Sequence, residues 1–354
     1  MTDISDLKSL AAGDFAQPFL IDHSNIRGRL VRLNEVVDTI LTRHEYPEPV
    51  SRLLGELLVV AAMLSGNLKH QGMLTLQIKG EGLVRFVVVD VEFGGKLRGY
   101  AEMAEGAEEA LKSMDAAHHT PSLQDMVGNG YLAITLDNTF SKQPYQGIVE
   151  LSGKTVAETV QSYFSNSEQS EVRLKICVGS MQYGGEERAQ WCAGGMLLQH
   201  VPGEQGGGHF TSDAEAAVRV HDAADDAVVQ MRSTASTEPD PELWHRISLF
   251  YDTLKPYELL DPLLPTEELL YRLFNEDGVW MYQTAALHTG CRCTRERISK
   301  VLSSFPREEL QTMLDDEGRL SVNCQFCNKL EFFAVDEIHS GYSDEIHTAH
   351  STEN

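Results

Sequence analysis

The sequence predicts an α+β protein with an N-terminal mixed α/β domain, a helical linker and a small C-terminal module. Three observations predict it. Strand-like and helix-like hydrophobic patterns interleave up to about residue 202. A glycine- and alanine-rich acidic stretch then breaks the pattern. Finally, four cysteines, Cys291, Cys293, Cys324 and Cys327, crowd the last quarter of the chain. At 354 residues there is room for about two domains, and 42% apolar residues is ordinary for a globular protein.

Residues 1–202 carry the first domain. Apolar or alternating runs at Arg29–Leu33, Met73–Ile78, Leu83–Val91, Tyr131–Leu136 and Gly147–Leu151 read as strands, with turn residues such as Gly128-Asn129-Gly130 between them. Pro49–Leu68, with Leu53, Leu54, Leu57, Leu58, Ala61 and Leu64, reads as a largely buried helix, and Thr155–Phe164, with Val156, Val160 and Phe164, as an amphipathic one. Cys177 and Cys192 lack close thiol partners in sequence and read as buried packing. His118-His119 reads as an exposed loop. There is no GxxxxGK[ST] phosphate loop, no GxSxG elbow and no HExxH, so neither ATP-driven chemistry nor an enzyme is predicted.

Residues 203–285 form the linker region. From Gly203 to Pro241 the chain carries Gly206-Gly207-Gly208 and eight acidic residues against two basic ones, the composition of a flexible, solvated insertion with a transient helix around Ala214–Val220. Beyond it Leu243, Ile247, Phe250, Tyr251 and Leu254 share one helical face. Leu269, Leu270, Leu273 and Phe274 form another, after Thr266 as its cap. Pro256, Pro262 and Pro265 cut the stretch into short pieces, which are marginal helices alone and must lean on a neighbour.

Residues 286–335 form the module that holds the cysteines. Thr294 caps a helix with Ile298, Val301 and Leu302 on one face, and Pro306 starts a second with Leu310, Met313 and Leu314. Leu320 and Val322 enter the CxxC turn and Leu330, Phe332 and Phe333 leave it, which predicts a hairpin with the knuckle at its tip. Residues 336–354, with His339, His347 and His350, read as a polar, disordered tail.

Two close thiol pairs make either two disulfides or one Cys₄ zinc site, and compartment chooses between them. The first twenty residues contain Asp3, Asp6, Lys8 and Asp14, with no unbroken apolar core, and no later run approaches the roughly 18 apolar residues of a membrane span. The expectation is a soluble, cytoplasmic protein in a reducing environment, and with it a Zn²⁺ site made by the four cysteines. Cysteines two positions apart on an extended chain lie about 6.6–7.2 Å apart at Cα, at or beyond the reach of a disulfide. A turn can present Cys291 and Cys293 to one metal, a backbone different from that of a Cys291–Cys293 disulfide, so oxidation and zinc binding are expected to be mutually exclusive. About fifty residues bury too little to be secure, so the metal carries much of the stability, on the order of 10–16 kcal/mol in small zinc peptides. Arg292, Arg295 and Arg297 stand beside the thiols in sequence, and cations so placed lower thiol pKa.

Charge limits the partners. The formal net charge of −24 disfavours nucleic acid and anionic membranes. Within 286–335, seven Lys/Arg meet seven Asp/Glu, so the module lacks a basic footprint.

Cys291-Arg292-Cys293 and Cys324-Gln325-Phe326-Cys327, separated by thirty residues, resemble the pattern of the 33 kDa heat shock redox-regulated chaperone family. Gly128-Asn129-Gly130-Tyr131, Tyr145-Gln146-Gly147-Ile148-Val149, Tyr163-Phe164 with Ser167-Glu168-Gln169, and Ala193-Gly194-Gly195-Met196-Leu197-Leu198-Gln199 resemble its signatures in the same order. The resemblance implies an ATP-independent holdase, inactive while reduced and zinc-bound. Oxidants convert the thiolates to Cys291–Cys293 and Cys324–Cys327 disulfides and expel zinc. The linker then unfolds, and exposed surface holds unfolding client proteins. It further implies a homodimer when activated, with hand-off of clients to ATP-dependent Hsp70-type chaperones. The alternative from the residues alone is a zinc-ribbon nucleic-acid-binding protein, which the charge counts oppose. A thiol–disulfide oxidoreductase would want its CxxC at a helix start rather than in a hairpin.

Overall fold

A helix that is apolar on every side needs walls on every side, and here two sheets provide them. The computed structural model describes residues 13–68, 71–116, 121–137, 144–182, 188–201, 218–219 and 241–340. Two compact units are formed, Met1–Thr289 and Gly290–Asn354. His118-His119, His347 and His350 lie outside the described residues, as does the side chain of His339.

In the first unit the elements run β1 (Phe15–Ile21), β2 (Ile26–Leu33), α1 (Glu35–Leu41), α2 (Glu48–Leu64), β3 (Met73–Gly80), β4 (Val84–Glu92), β5 (Lys96–Met103), α3 (Ala107–Ala116) and α4 (Leu123–Val127). They continue with β6 (Gly130–Asp137), β7 (Tyr145–Glu150), α5 (Val156–Ser167), β8 (Glu171–Met181), β9 (Gln190–His200) and β10 (Val218–Arg219). After the linker helix α6 (Pro241–Thr253), its 3₁₀ turn (Pro256–Leu259) and α7 (Thr266–Phe274) come β11 (Val279–Met281), β12 (Ala285–Ala286) and β13 (His288–Thr289).

One sheet has the order β10-β11-β1-β2-β9-β8 with β12 also on β1, and the other the order β13-β5-β4-β3-β6-β7. Helix α2 lies against strands of both. Its Leu53, Leu54, Leu57, Leu58, Val59, Val60, Ala61 and Ala62 are all buried in the core between the sheets. The expected helix over Pro49–Leu68 is present, though its last turn tightens to 3₁₀ at Ser65–Asn67.

Strand alternation gives the first sheet a second apolar face. Val31, Leu33, Ala193 and Leu197 point to α2, while Phe19, Ile21, Ile26, Leu30, Met196 and Leu198 form the other face with the linker helices. Gly194 and Gly195 let both layers come close. A Cβ at Gly195 would meet Met63 Cε at 2.4 Å, and one at Gly194 would meet the Leu259 carbonyl oxygen at 2.6 Å. Strands β1, β5, β8 and β9 go beyond those the hydrophobic pattern named, and β2 begins at Ile26 rather than Arg29. Val218–Arg219, expected within a transient helix, is a strand paired with Trp280 and Met281, an example of tertiary pairing overriding local propensity.

The second unit holds α8 (Arg295–Leu302), α9 (Arg307–Thr312), the β14 (Leu320–Asn323)–β15 (Leu330–Phe333) hairpin and α10 (Val335–Ser340). Its core is Leu310, Leu320, Phe333, Val335 and Ile338, with Ile298, Leu302, Leu314 and Val322 packed against it. Val301 and Met313, expected in the core, are 58% and 52% exposed. Residues 336–340, expected to belong to a disordered tail, lie instead in α10, because Ile338 buries itself in the module's core; the rest of that tail lies outside the described residues.

Candidate metal centre

Local hydrogen bonds bring the four thiols together. The Thr294 N–H donates to the Arg292 carbonyl at 3.0 Å and bends the CxC segment into a turn. Thr294 Oγ1 then accepts from the Arg297 N–H at 3.3 Å and caps α8, as its sequence position predicts. On the other side, Asn328 N–H donates to the Cys324 carbonyl at 2.8 Å and Cys324 N–H to the Lys329 carbonyl at 3.0 Å. Asn328 takes φ 55°, a left-handed conformation that asparagine tolerates, and so closes the knuckle.

The sulfurs of Cys291, Cys293, Cys324 and Cys327 lie within 4.8 Å of one another, each on a half-buried residue. The Cys291–Cys324 Sγ separation is 3.5 Å and the Cys293–Cys327 separation 3.2 Å. A tetrahedral zinc with Zn–S bonds of about 2.3 Å needs sulfurs about 3.8 Å apart, so the cluster has the right size and donor set for that ion. All four are free thiols.

Burial pushes the Cys291 thiol up, but hydrogen bonds from Cys293 side chain and backbone, Cys324 and Cys327 outweigh it and bring it down to about 7. Burial and the neighbouring sulfurs push Cys293 up. Burial likewise raises Cys327. Of the flanking arginines, Arg295 is engaged away from the sulfurs. The Arg295 guanidinium donates to Glu337 at 2.9 Å, to the Phe332 carbonyl at 2.9 Å and to Glu331 at 3.2 Å, and lies 4.3 Å over the Phe333 ring. Its work is to tie the start of α8 to the hairpin and α10.

The linker residues form a second assembly, within the first unit. Ile247, Tyr251, Leu254, Leu269, Leu270, Leu273 and Phe274 are buried on the outer face of the first sheet, with Leu243 and Phe250 partly buried beside them. Phe274 stacks on Phe19 at 5.9 Å between ring centroids. Thr266 is the first residue of α7 rather than its cap; Pro265 holds the cap position.

Polar contacts that the hydrophobic pattern does not signal pin this assembly. Lys175 Nζ donates to the carbonyls of Tyr251 at 3.1 Å, Asp252 at 2.9 Å and Leu254 at 2.8 Å, so a strand lysine satisfies the C-terminus of α6. Desolvation lowers its pKa. The Tyr251 hydroxyl donates to the Met196 carbonyl at 2.6 Å, and Arg32 to the Leu264 carbonyl at 2.7 Å. Trp244, off the predicted face, is buried and stacks on His200 with centroids 5.6 Å apart. Among the described residues, no helix is long and apolar enough to cross a membrane.

Residues 14–333 match the family described as Hsp33 protein. The chain is 35% identical over 330 residues to the "33 kDa chaperonin" of Caulobacter vibrioides, an alignment covering 93% of this chain and 97% of that one. It is 32% identical over 337 residues to the "33 kDa chaperonin" of Serratia proteamaculans, at 93% and 97% coverage. A crystal structure of the 33 kDa chaperonin of Thermotoga maritima superposes with a TM-score of 0.66 at 22% identity, covering 92% of this chain and 97% of that one.

Proposed function

The chain belongs to the Hsp33 protein family, a family of chaperones, and from that premise we propose that it is a redox-regulated, ATP-independent holdase. The observation that carries this reading is the ring of four thiols in a module whose own core is five buried residues. So small a core depends on a cross-link, and zinc, when bound, supplies one between the CxC and CxxC halves. Reduced Cys291, Cys293, Cys324 and Cys327 hold that ion and keep the protein inactive.

Peroxide or hypochlorous acid, acting with unfolding stress, takes the electrons of the four thiolates and leaves Cys291–Cys293 and Cys324–Cys327 disulfides, so the ligand set is lost and zinc departs. The short sulfur–sulfur separations run between the halves, Cys291 to Cys324 and Cys293 to Cys327. Only Gly290 separates Cys291 from β13, the last strand of the first unit. Once the module unfolds, the marginal helices at 241–274 leave the sheet. Phe19, Ile21, Ile26, Leu30, Met196 and Leu198 then face solvent and hold unfolding clients.

Holding is stoichiometric and turns nothing over. The activated protein is a homodimer that works in the cytoplasm and yields its clients to ATP-dependent Hsp70-type chaperones. Neither nucleic acid nor membrane takes part.

The test measures zinc release with a chromogenic chelator, and suppression of aggregation of a heat-denatured protein, before and after peroxide. Release of one zinc per chain with a gain in suppression is expected. Equal suppression in both states removes the switch.

A further inference from the structure

The two cysteines outside the metal centre share one small patch of the first sheet. In the β8–β9 ladder Cys177 lies opposite Gly194 and Cys192 opposite Gly179, so two thiols and two glycines alternate in a block on one face. The Cys192 thiol donates to the Gly179 carbonyl at 3.5 Å. This is the face under the linker. The Leu259 carbonyl oxygen sits 2.6 Å from where a Cβ of Gly194 would be, the Leu260 side chain 3.3 Å from that of Gly179, and the Pro256–Leu259 turn packs on both strands. Cys192 is 3% exposed and Cys177 half-buried. Burial raises both thiols, Cys192 to about 12, so neither ionises readily beneath the turn.

We propose that Cys177 and Cys192 form a second oxidant-modification site, and that the linker turn controls access to its buried member, Cys192. The inference rests on the reading that the linker leaves the sheet on activation. With the turn lifted, the thiols meet water and ionise closer to the free value of about 8.5. A peroxide then reacts: the thiolate sulfur attacks one oxygen, the O–O bond breaks, hydroxide leaves and a sulfenic acid forms. A small soluble thiol such as glutathione attacks that sulfur, the S–O bond breaks, water leaves and a mixed disulfide remains. A direct Cys177–Cys192 bond is disfavoured, because diagonal ladder neighbours lie about 7–8 Å apart and disulfides span at most about 6.8 Å at Cα. The Leu259 carbonyl already leaves no room for a Cβ on Gly194, so an adduct as large as glutathione on the neighbouring Cys192 leaves no space for the turn. A modified molecule re-docks its linker only after a reductant has removed the adduct.

The test treats zinc-loaded protein with hydrogen peroxide and glutathione. It weighs the Cys177 and Cys192 peptides by mass spectrometry and follows linker release in the same samples by limited proteolysis at 241–274. Adduct at Cys192 is expected to rise about tenfold or more once the linker opens, as for any site gated by local unfolding. Phe274→Ala, which loosens the linker without oxidant, should label Cys192 with iodoacetamide at a similarly raised rate. On return to reductant-limited buffer, the Cys177→Ser, Cys192→Ser double variant should re-dock faster than the parent. An open linker with Cys192 untouched overturns the inference alone. Equal adduct before and after opening overturns the gating. A linker that peroxide never opens overturns the parent reading, and the Phe274→Ala arm still decides the gate.

Discussion

Replacing Phe274 by alanine should activate the chaperone without oxidant. The side chain is fully buried, stacks on Phe19 and anchors the last turn of α7 to the outer face of the first sheet. Truncating a buried phenylalanine costs roughly 3–5 kcal/mol, as lost transfer energy and an unfilled cavity. Here that cost falls on docking of the linker, because Phe274 lies in the cluster formed between the linker and the sheet, away from the core around α2. Since every 1.4 kcal/mol is tenfold, the open population rises by a factor on the order of 10²–10⁴. Leu249→Ala is the control: it stands on α6 but is 54% exposed, and such surface changes fall within about 0.5 kcal/mol. The assay is suppression of aggregation of a heat-denatured substrate by reduced, zinc-loaded protein, with proteolysis at 241–274 as the readout of opening. Proteolytic opening with no gain in suppression refutes the idea that the linker covers the client-holding surface.

Cys324→Ser should abolish tight zinc binding, melt the second unit and leave the linker helices open without oxidant while the two-sheet core around α2 stays folded, read as loss of a low-temperature unfolding transition by calorimetry. An unaltered transition would show that the module folds on its five-residue core alone. Lys175→Met removes the donor that satisfies three carbonyls at the end of α6 and should cost roughly 1–3 kcal/mol of docking, read as faster proteolysis there. Unchanged cleavage would assign those carbonyls to water. Glu56 lines a groove of about 770 Å³ beside Arg52, Lys154 and Cys177. Burial pushes its carboxyl up to about 7 against the lowering effects of Arg52 and the Val156 N–H. A carboxyl raised by folding contributes stability below its unfolded pKa, and that contribution fades as pH rises through about 7. Glu56→Gln, which resembles the protonated form, should raise Tm most at pH 8 and least at pH 5; parallel Tm–pH curves for the two proteins would contradict this.

What was legible in the sequence was what repeats or pairs locally. The four cysteines, the Thr294 cap, the α2 helix and the hairpin around Cys324 and Cys327 each carry their signal within a few residues. What was not legible depends on a partner distant in the chain. Strands β11, β12 and β13 are two or three residues long, too short for any periodicity, and exist because β1 and β5 offer free edges. Trp244 falls outside the helical stripe drawn through Leu243 and Ile247, yet His200 on β9 gives it a place to stack. Lys175 reads as the polar position of a strand until the end of α6 arrives above it. Arg295 stands two residues from Cys293, and only the fold reveals that Glu331 and Glu337 claim it. Val301 lies one residue off the face that Ile298 and Leu302 turn to the core.

Lys175 has a further consequence. Strand β8 ends its sheet among the described residues, and a bare, apolar strand margin invites another chain to extend it. With α6 above it, the ammonium is occupied by carbonyls. Stripped of that helix, it would join the exposed Glu171 and Arg173 on the same face of the strand, where ladder growth from molecule to molecule meets a row of charges. The same side chain that fastens the cover would then serve as a guard against fibre formation in a protein whose task requires stickiness.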